Sequence, residues 1–327
     1  MKVISLFSGA GGLDLGFIQA GHQVIWANDH DPDAVTTYRK NIGEHITAGN
    51  IEDVDVEGIP EADILIGGFP CQGFSCANMK RSAEDKRNEL YLQFLKVLSA
   101  KQPKYFLAEN VRGLLSLDKG RVIQMIASDF EKCGIGYEVT YKVLNAADYG
   151  VPQHRPRVII VGARRDLAKK HQYRFPDPTH LKPNGNGSSV KKAGMFENDR
   201  EIKSWVTISQ ALEKIPEPSE PHGLLNHVCS KYKITNRNFT GHRATDPDKP
   251  SPTILARGNG KGGVCAIQHP RNHRRLSVRE SAVIQTFPID FEFHGTLGSM
   301  YRQVGNAVPV LLAKRLAEAF TQLENND

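Results

Sequence analysis

The order of apolar segments along the first 165 residues constrains this chain more than any other feature. Short runs rich in Val, Ile, Leu and aromatic residues fall at 3–6, 24–27, 64–66, 105–108, 137–144 and 158–161. Helical periodicity occupies the intervals 13–20, 33–40, 89–99 and 120–132. Strands alternating with helices predict an α/β fold, a doubly wound and mostly parallel sheet with helices on both faces. Such sheets bind ligands at the carboxyl ends of their strands, so chemistry is sought there.

The pattern changes after residue 172. The stretch 175–194 is rich in Pro, Asn, Gly, Ser and Lys and reads as a linker or surface loop. Residues 200–270 offer one short helical pattern, 204–215, and then irregular segments that include a Gly-rich basic loop at 256–263. Helical patterns return at 278–285 and at 308–323, where Val308, Leu311, Leu312, Leu316 and Phe320 form an apolar stripe expected to pack on the first domain's sheet. The expected architecture is a domain 1–172 completed by 304–327, a smaller irregular domain 173–272, and a hinge 273–303.

Charge follows the same division. Residues 151–275 carry 23 Lys+Arg against 10 Asp+Glu, whereas the rest of the chain carries 19 against 26. A basic segment in an otherwise acidic chain suggests a face for a polyanion, although a solvated basic surface would look the same. The five cysteines are scattered, and neither CxxC nor HExxH occurs. Neither a disulfide framework nor a zinc site is expected, and reduced thiols in the cytoplasm are the simplest reading. No apolar run reaches the length of a membrane span, and the N-terminus has no signal-peptide pattern.

Five segments fall at candidate strand ends or helix starts. Phe7-Ser8-Gly9-Ala10-Gly11-Gly12-Leu13-Asp14 is a Gly-rich turn between a strand and a helix, but Asp14 stands where a dinucleotide fingerprint needs its third glycine. Asp29 follows the second strand, where a carboxylate can accept from ribose hydroxyls or simply cap a turn. Pro70-Cys71-Gln72 follows the third, and a thiol there is partly ionised near neutral pH and nucleophilic. Glu109-Asn110 ends the fourth, placing a carboxyl where it can share a proton with a bound group. Arg155 and Arg157 sit two apart before the last strand, point the same way and suit oxygen acceptors. Gly305-Asn306-Ala307-Val308-Pro309 is expected to open the final helix, with Asn306 readable as its cap.

In this order and spacing, these segments resemble the cytosine-carbon-5 DNA methyltransferase family, of the bacterial restriction-modification type. So do Arg275-Leu276-Ser277-Val278-Arg279-Glu280 and Gln285-Thr286-Phe287-Pro288, although the family often has Gly at position 286. The resemblance runs from Lys2 to about Phe320 and leaves only 173–272 without motifs. It implies a methyl donor, S-adenosylmethionine, held by Phe7, Gly9, Gly11, Gly12, Leu13, Asp29, His30, Ile51, Pro70, Leu90, Asn306 and Ala307. Asn50 stands where the family carries an acid for the adenine amino group. Cys71 is implied as the nucleophile that adds to cytosine carbon 6, with Glu109 on ring nitrogen 3 and the amino group. Arg157 is implied to contact the base oxygen and the active-site loop, with Arg155 its neighbour in the same catalytic motif, while Asn110 orients the Cys71 loop. The partner is double-stranded DNA with the target base flipped out, the lid is 73–87, and 173–272 is the target-recognition domain, with Arg243, Thr253 and Arg257 as expected DNA contacts. No metal is implied. The chain is expected to act as a cytoplasmic monomer, and such enzymes can be accompanied by a restriction endonuclease.

Three other readings compete. A transfer-RNA cytosine methyltransferase would show a Cys-Phe-Thr tripeptide and a reduced recognition segment; here the tripeptide is absent and the segment is long. A non-catalytic nucleic-acid-binding relict would not need Cys71, Glu109 and Arg157 together. A nicotinamide oxidoreductase is disfavoured by Asp14.

Overall fold

The computed structural model describes residues 1–69, 89–168, 172–183, 202–230, 245–256 and 267–324. In chain order the elements are β1 (Lys2–Leu6), α1 (Gly12–Gln19), β2 (Gln23–Asp29), α2 (Pro32–Asn41), β3 (Ile46–Ala48), β4 (Ile64–Gly67), α3 (Glu89–Lys101), β5 (Tyr105–Val111), α4 (Arg121–Lys132), β6 (Tyr137–Asn145), β7 (Pro156–Arg164) and the single turn α5 (Arg165–Ala168). Beyond them lie β8 (His180–Leu181), β9 (Lys203–Ser204), α6 (Ile208–Leu212), α7 (Val278–Ile284), α8 (Leu297–Asn306) and α9 (Val310–Glu324).

The main sheet has the order β3-β2-β1-β4-β5-β7-β6. Strands β1 to β5 pair in parallel, and β7 runs antiparallel to both neighbours. This is the doubly wound α/β fold, with its switch point between β1 and β4. Successive residues of the central strands alternate between two apolar layers, as the strand's period of two requires. Val3, Ile64, Ile66, Leu107, Ile159 and Val161 face Phe17 of α1 and Leu312, Leu316 and Phe320 of α9. Ile4, Leu65, Phe106, Val158 and Ile160 face Phe94 of α3 and Phe130 of α4. The C-terminal helix therefore closes the first layer, and α1 and α9 meet so closely that a Cβ on Gly16 would lie 2.3 Å from that of Ala313. Tyr173 joins this layer, stacking on Phe320 at 4.6 Å and donating its hydroxyl to Leu316 O.

A third apolar cluster joins Ile208 and Leu212 of α6, Ile254 and Ile267 to Leu276, Val278, Phe287, Phe293, Tyr301 and Val304. Pieces of the basic segment thus share a core with α7 and α8. Helix α7 starts from a capping box between Ser277 and Glu280.

Two local expectations are corrected. The helix expected at 204–215 spans only Ile208–Leu212, because Lys203–Ser204 pairs with β8 and Thr207 caps the helix at its start. Gly305 and Asn306 close α8 rather than open the last helix, since Pro309 lies between and α9 begins at Val310. Thr286, which stands where the family often has Gly, occupies the left-handed region at φ 61°. Its Oγ1 accepts from Leu311 N at 2.9 Å in the first turn of α9, which offsets part of the backbone strain with a helix-cap bond that glycine lacks.

Candidate active site

The switch point gathers the β1, β2 and β3 ends into one rim. Ser8 N and Oγ both donate to Asn28 O, and Gly9 N donates to Asp29 Oδ2 at 2.7 Å. Asp31 N takes the other Asp29 oxygen at 2.8 Å. Burial raises the Asp29 pKa, and these two amide donors oppose the shift. Gly9, at φ 56°, has nothing within 4 Å of where a Cβ would sit, so the loop is open to a ligand there. Gly11 starts α1 in the left-handed region, and a Cβ would collide with Ile42 and Tyr38. Gly12 and Leu13 face the protein instead: a Gly12 Cβ would lie 2.5 Å from Val308 O, and the Leu13 side chain belongs to the first apolar layer. His30 is exposed beside Asp29, and Asn50 is exposed, with its amide 3.4 Å from Asp53 Oδ2, above the buried Ile51. Leu90 is half-buried against the second layer. Asn306 is exposed and Ala307 buried at the end of α8, next to the loop.

Asp14, whose importance sequence reasoning missed, lies fully buried behind this rim. It accepts from Ser5 Oγ at 2.7 Å and Tyr38 Oη at 2.8 Å, and Tyr38 Oη also lies 3.1 Å from His45 Nε2. Burial pushes its carboxyl up from the ordinary 3.8 to about 6, against both hydroxyl bonds. The one available signal was a charged residue on the core-facing side of an apolar helix. Because the folded pKa is raised, the charged form costs stability as pH rises through the window from 3.8 to about 6. The full cost is roughly 3 kcal/mol above that window. Asp14→Asn is expected to lose this slope. Denaturant titrations of both proteins from pH 4 to 8 should diverge through that window, and parallel curves would refute the buried charge.

The opposite part of the rim is built by β4, β5 and β7. Because β7 runs antiparallel, its first residues lie at the edge where β5 ends, and Val111 pairs with Arg157. Arg157 Nε meets Glu109 Oε1 at 2.7 Å, both side chains nearly buried. Asn110 Nδ2 donates to Phe69 O at 2.9 Å, where the chain leaves β4. A Cβ on Gly68 would lie 3.1 Å from Glu109 Oε2, so this exit passes directly over the carboxylate. Pro70, Cys71, Gln72 and the lid 73–87 lie outside the described residues, as do Arg243 and Arg257. Thr253 is half-buried and donates its hydroxyl to His154 O at 2.7 Å.

Arg155 does not join Glu109 and Arg157 as a second oxygen-binding arginine at the rim. It is 1 % exposed, and its fork is spent on backbone: Nη1 donates to Ile254 O at 2.8 Å, and Nη2 to Gly305 O and Ala307 O, each at 2.9 Å. The two latter carbonyls end α8, where unpaired carbonyls and the helix dipole attract a cation. Among the described residues no group of three or more His, Cys, Asp or Glu could hold a metal ion.

The C-5 cytosine-specific DNA methylase family model matches residues 1–322. The chain belongs to that family. It is a DNA cytosine methyltransferase, which removes the oxidoreductase and relict readings. The type II methyltransferase M.NgoFVII of Neisseria gonorrhoeae is 40% identical over 98% of this chain and 87% of its own length. M.FnuDI of Fusobacterium nucleatum, another type II methyltransferase, is 36% identical over 99% and 96%. These similarities favour DNA over transfer RNA as the methyltransferase's substrate. The crystal structure of a DNA modification methyltransferase encoded within an E. coli prophage superposes with a TM-score of 0.70 at 23% identity, covering 99% of both chains, which supports the fold.

Proposed function

We propose that this methyltransferase modifies carbon 5 of a cytosine flipped out of duplex DNA, with Cys71 as its nucleophile. The observation that carries the reading is the Glu109–Arg157 pair at 2.7 Å, set beneath the β4 exit that Asn110 holds in place. Cys71 comes two residues beyond Phe69 at that exit. The thiolate adds to carbon 6, forming a C6–Sγ bond and making carbon 5 an enamine carbon. Glu109 favours the addition by hydrogen-bonding ring nitrogen 3 and the amino group, and Arg157 holds the base oxygen and fixes Glu109. After carbon 5 has taken the methyl group it loses its proton, and the C6–Sγ bond breaks to release Cys71. Extrusion is required because the target carbon is inaccessible inside a duplex.

The methyl donor of this reading, S-adenosylmethionine, supplies an electrophilic methyl on a sulfonium. The rim suits it: Gly9 leaves open space, and Asp29 is a buried carboxylate already oriented by two amides. Phe7, Gly9, Gly11, Asp29, His30, Asn50, Ile51, Pro70, Leu90, Asn306 and Ala307 would hold it, with Gly12 and Leu13 contributing backbone only. The basic segment would bind phosphates and read the target word, with Thr253, Arg243 and Arg257 among its contacts. No helix among the described residues is long and apolar enough to cross a membrane. We place the enzyme with DNA in a prokaryotic cytoplasm, as a monomer, with or without a cognate endonuclease.

Incubation with duplex DNA and methyl-labelled cofactor tests the reading. Label is expected in 5-methylcytosine at one short word, located by sequencing the methylated sites. DNA carrying 5-fluorocytosine at that word should trap a covalent adduct, because the fluorine cannot leave as a proton does. Label absent from cytosine, with the protein folded and cofactor-bound, would overturn it.

A further inference from the structure

The segment 251–256 is zipped onto the residues that lead into β7. Ser251 N donates to Pro152 O, and His154 N donates to Ser251 O. Ile254 N donates to Gln153 Oε1 at 3.0 Å, while Gln153 Nε2 donates to Gln285 Oε1 at 2.8 Å. Gln285 in turn donates to Val304 O and Ala307 O at the end of α8. Gly305 permits this approach, since any Cβ there would lie 2.5 Å from Ala256 N. Gln153 and Arg155 come just before β7, and Arg157 is its second residue.

Arg155 occupies the junction of three parts. It precedes Arg157 by two residues, immediately before β7. It holds Ile254 O in the basic segment, which continues in sequence into Arg257-Gly258-Asn259-Gly260-Lys261. It also holds Gly305 O and Ala307 O beside the cofactor loop, where Val308 O lies against Gly12. A cation buried this completely, with no carboxylate among the described residues in hydrogen-bond range, costs solvation that a packed apolar side chain would not. Three carbonyls from two distant segments give it a specific task.

We propose that Arg155 is a positioning residue that fixes the DNA-reading segment against the strand bearing Arg157, so that discrimination between DNA words depends on it. This inference rests on the proposed function. Loosening the junction lets the reading segment shift relative to Glu109 and Arg157, and near-target words then reach the catalytic geometry more nearly as often as the true one. Lysine keeps the charge but lacks the fork that spans Ile254 on one arm and Gly305 with Ala307 on the other.

The test compares wild type, Arg155→Lys and Gln153→Met. Each is incubated with the same genomic DNA, and the ratio of methylation at the preferred word to that at its single-base variants is read by sequencing. The ratio is expected to fall by roughly threefold to thirtyfold in Arg155→Lys, the range for residues that couple sites without touching ligand. Hydrogen exchange should quicken at 251–256 and leave β1 and β4 unchanged. Gln153→Met removes one bond to the same segment, should move the ratio in the same direction, and serves if Arg155→Lys does not fold. A slower variant with an unchanged word ratio, or exchange that quickens across the whole sheet, overturns the inference and leaves Arg155 purely structural. Failure of the wild type to methylate any cytosine would instead overturn the proposed function.

Discussion

Cys71→Ala is expected to lower methyl transfer by at least about 10⁴-fold, as loss of a covalent nucleophile does elsewhere. Carbon 5 of cytosine is too weak a nucleophile to take a methyl group unaided, so without the thiolate no enamine forms. The loss should appear in kcat, with DNA and cofactor binding kept, because the thiol's contribution is confined to the reacting carbon. The discriminating control is Cys229→Ala. Burial raises the Cys229 thiol, which suits a packed residue rather than a nucleophile, and this variant should keep its turnover. A Cys71→Ala protein that still methylates, or a Cys229→Ala protein that does not, would mean the nucleophile is misassigned. The trapped 5-fluorocytosine adduct supplies the direct measurement, since its peptide must contain residue 71.

The alternation that organises the sheet was legible because apolar runs with turn residues between them leave few ways to bury both faces. Several elements were not, β3 and α8 among them. The strand Ile46–Ala48 is only three residues long and has no apolar run to announce it. Helix α8 contains Gly298, Ser299 and Gly305, all weak helix formers, and is held by packing on α7 and by its cap from Thr296. The site divides in the same way. The Gly-rich turn and Asp29 follow a local pattern, so their placement together at the strand ends was legible from sequence. Strand direction could not, and it is the reversal of β7 that brings Arg157 to Glu109. Arg155 was misleading for a related reason. Spacing aligns it with Arg157, but its partners are carbonyls 99, 150 and 152 residues away, and no side-chain pattern marks a carbonyl. Asp14, which in sequence only broke a glycine fingerprint, is a buried acid tying β1 to α2 through Ser5 and Tyr38.

The Glu109–Arg157 pair carries the second large prediction, because it has both a structural and a catalytic consequence. At 2.7 Å, with side chains 12% and 9% exposed, neither partner can be removed without stranding the other. Glu109→Gln and Arg157→Met should each destabilise the fold by about 3–5 kcal/mol, the cost of an uncompensated buried charge. The double variant leaves no such charge and should be less destabilised than the two singles added together. Catalysis should behave likewise. On the proposed function, in which Glu109 hydrogen-bonds the base and Arg157 fixes Glu109, each single is expected to slow transfer by roughly 10²- to 10⁴-fold. Residues that act as one unit lose their effect once, so the double variant should be little worse than the poorer single. A double-mutant cycle on kcat and on unfolding free energy measures both terms. Additive kcat losses would mean that Arg157 serves the base independently, through its oxygen, and that its contact with Glu109 only packs the rim. A coupled loss in kcat with additive stability would instead place the pair's work wholly in the reacting complex.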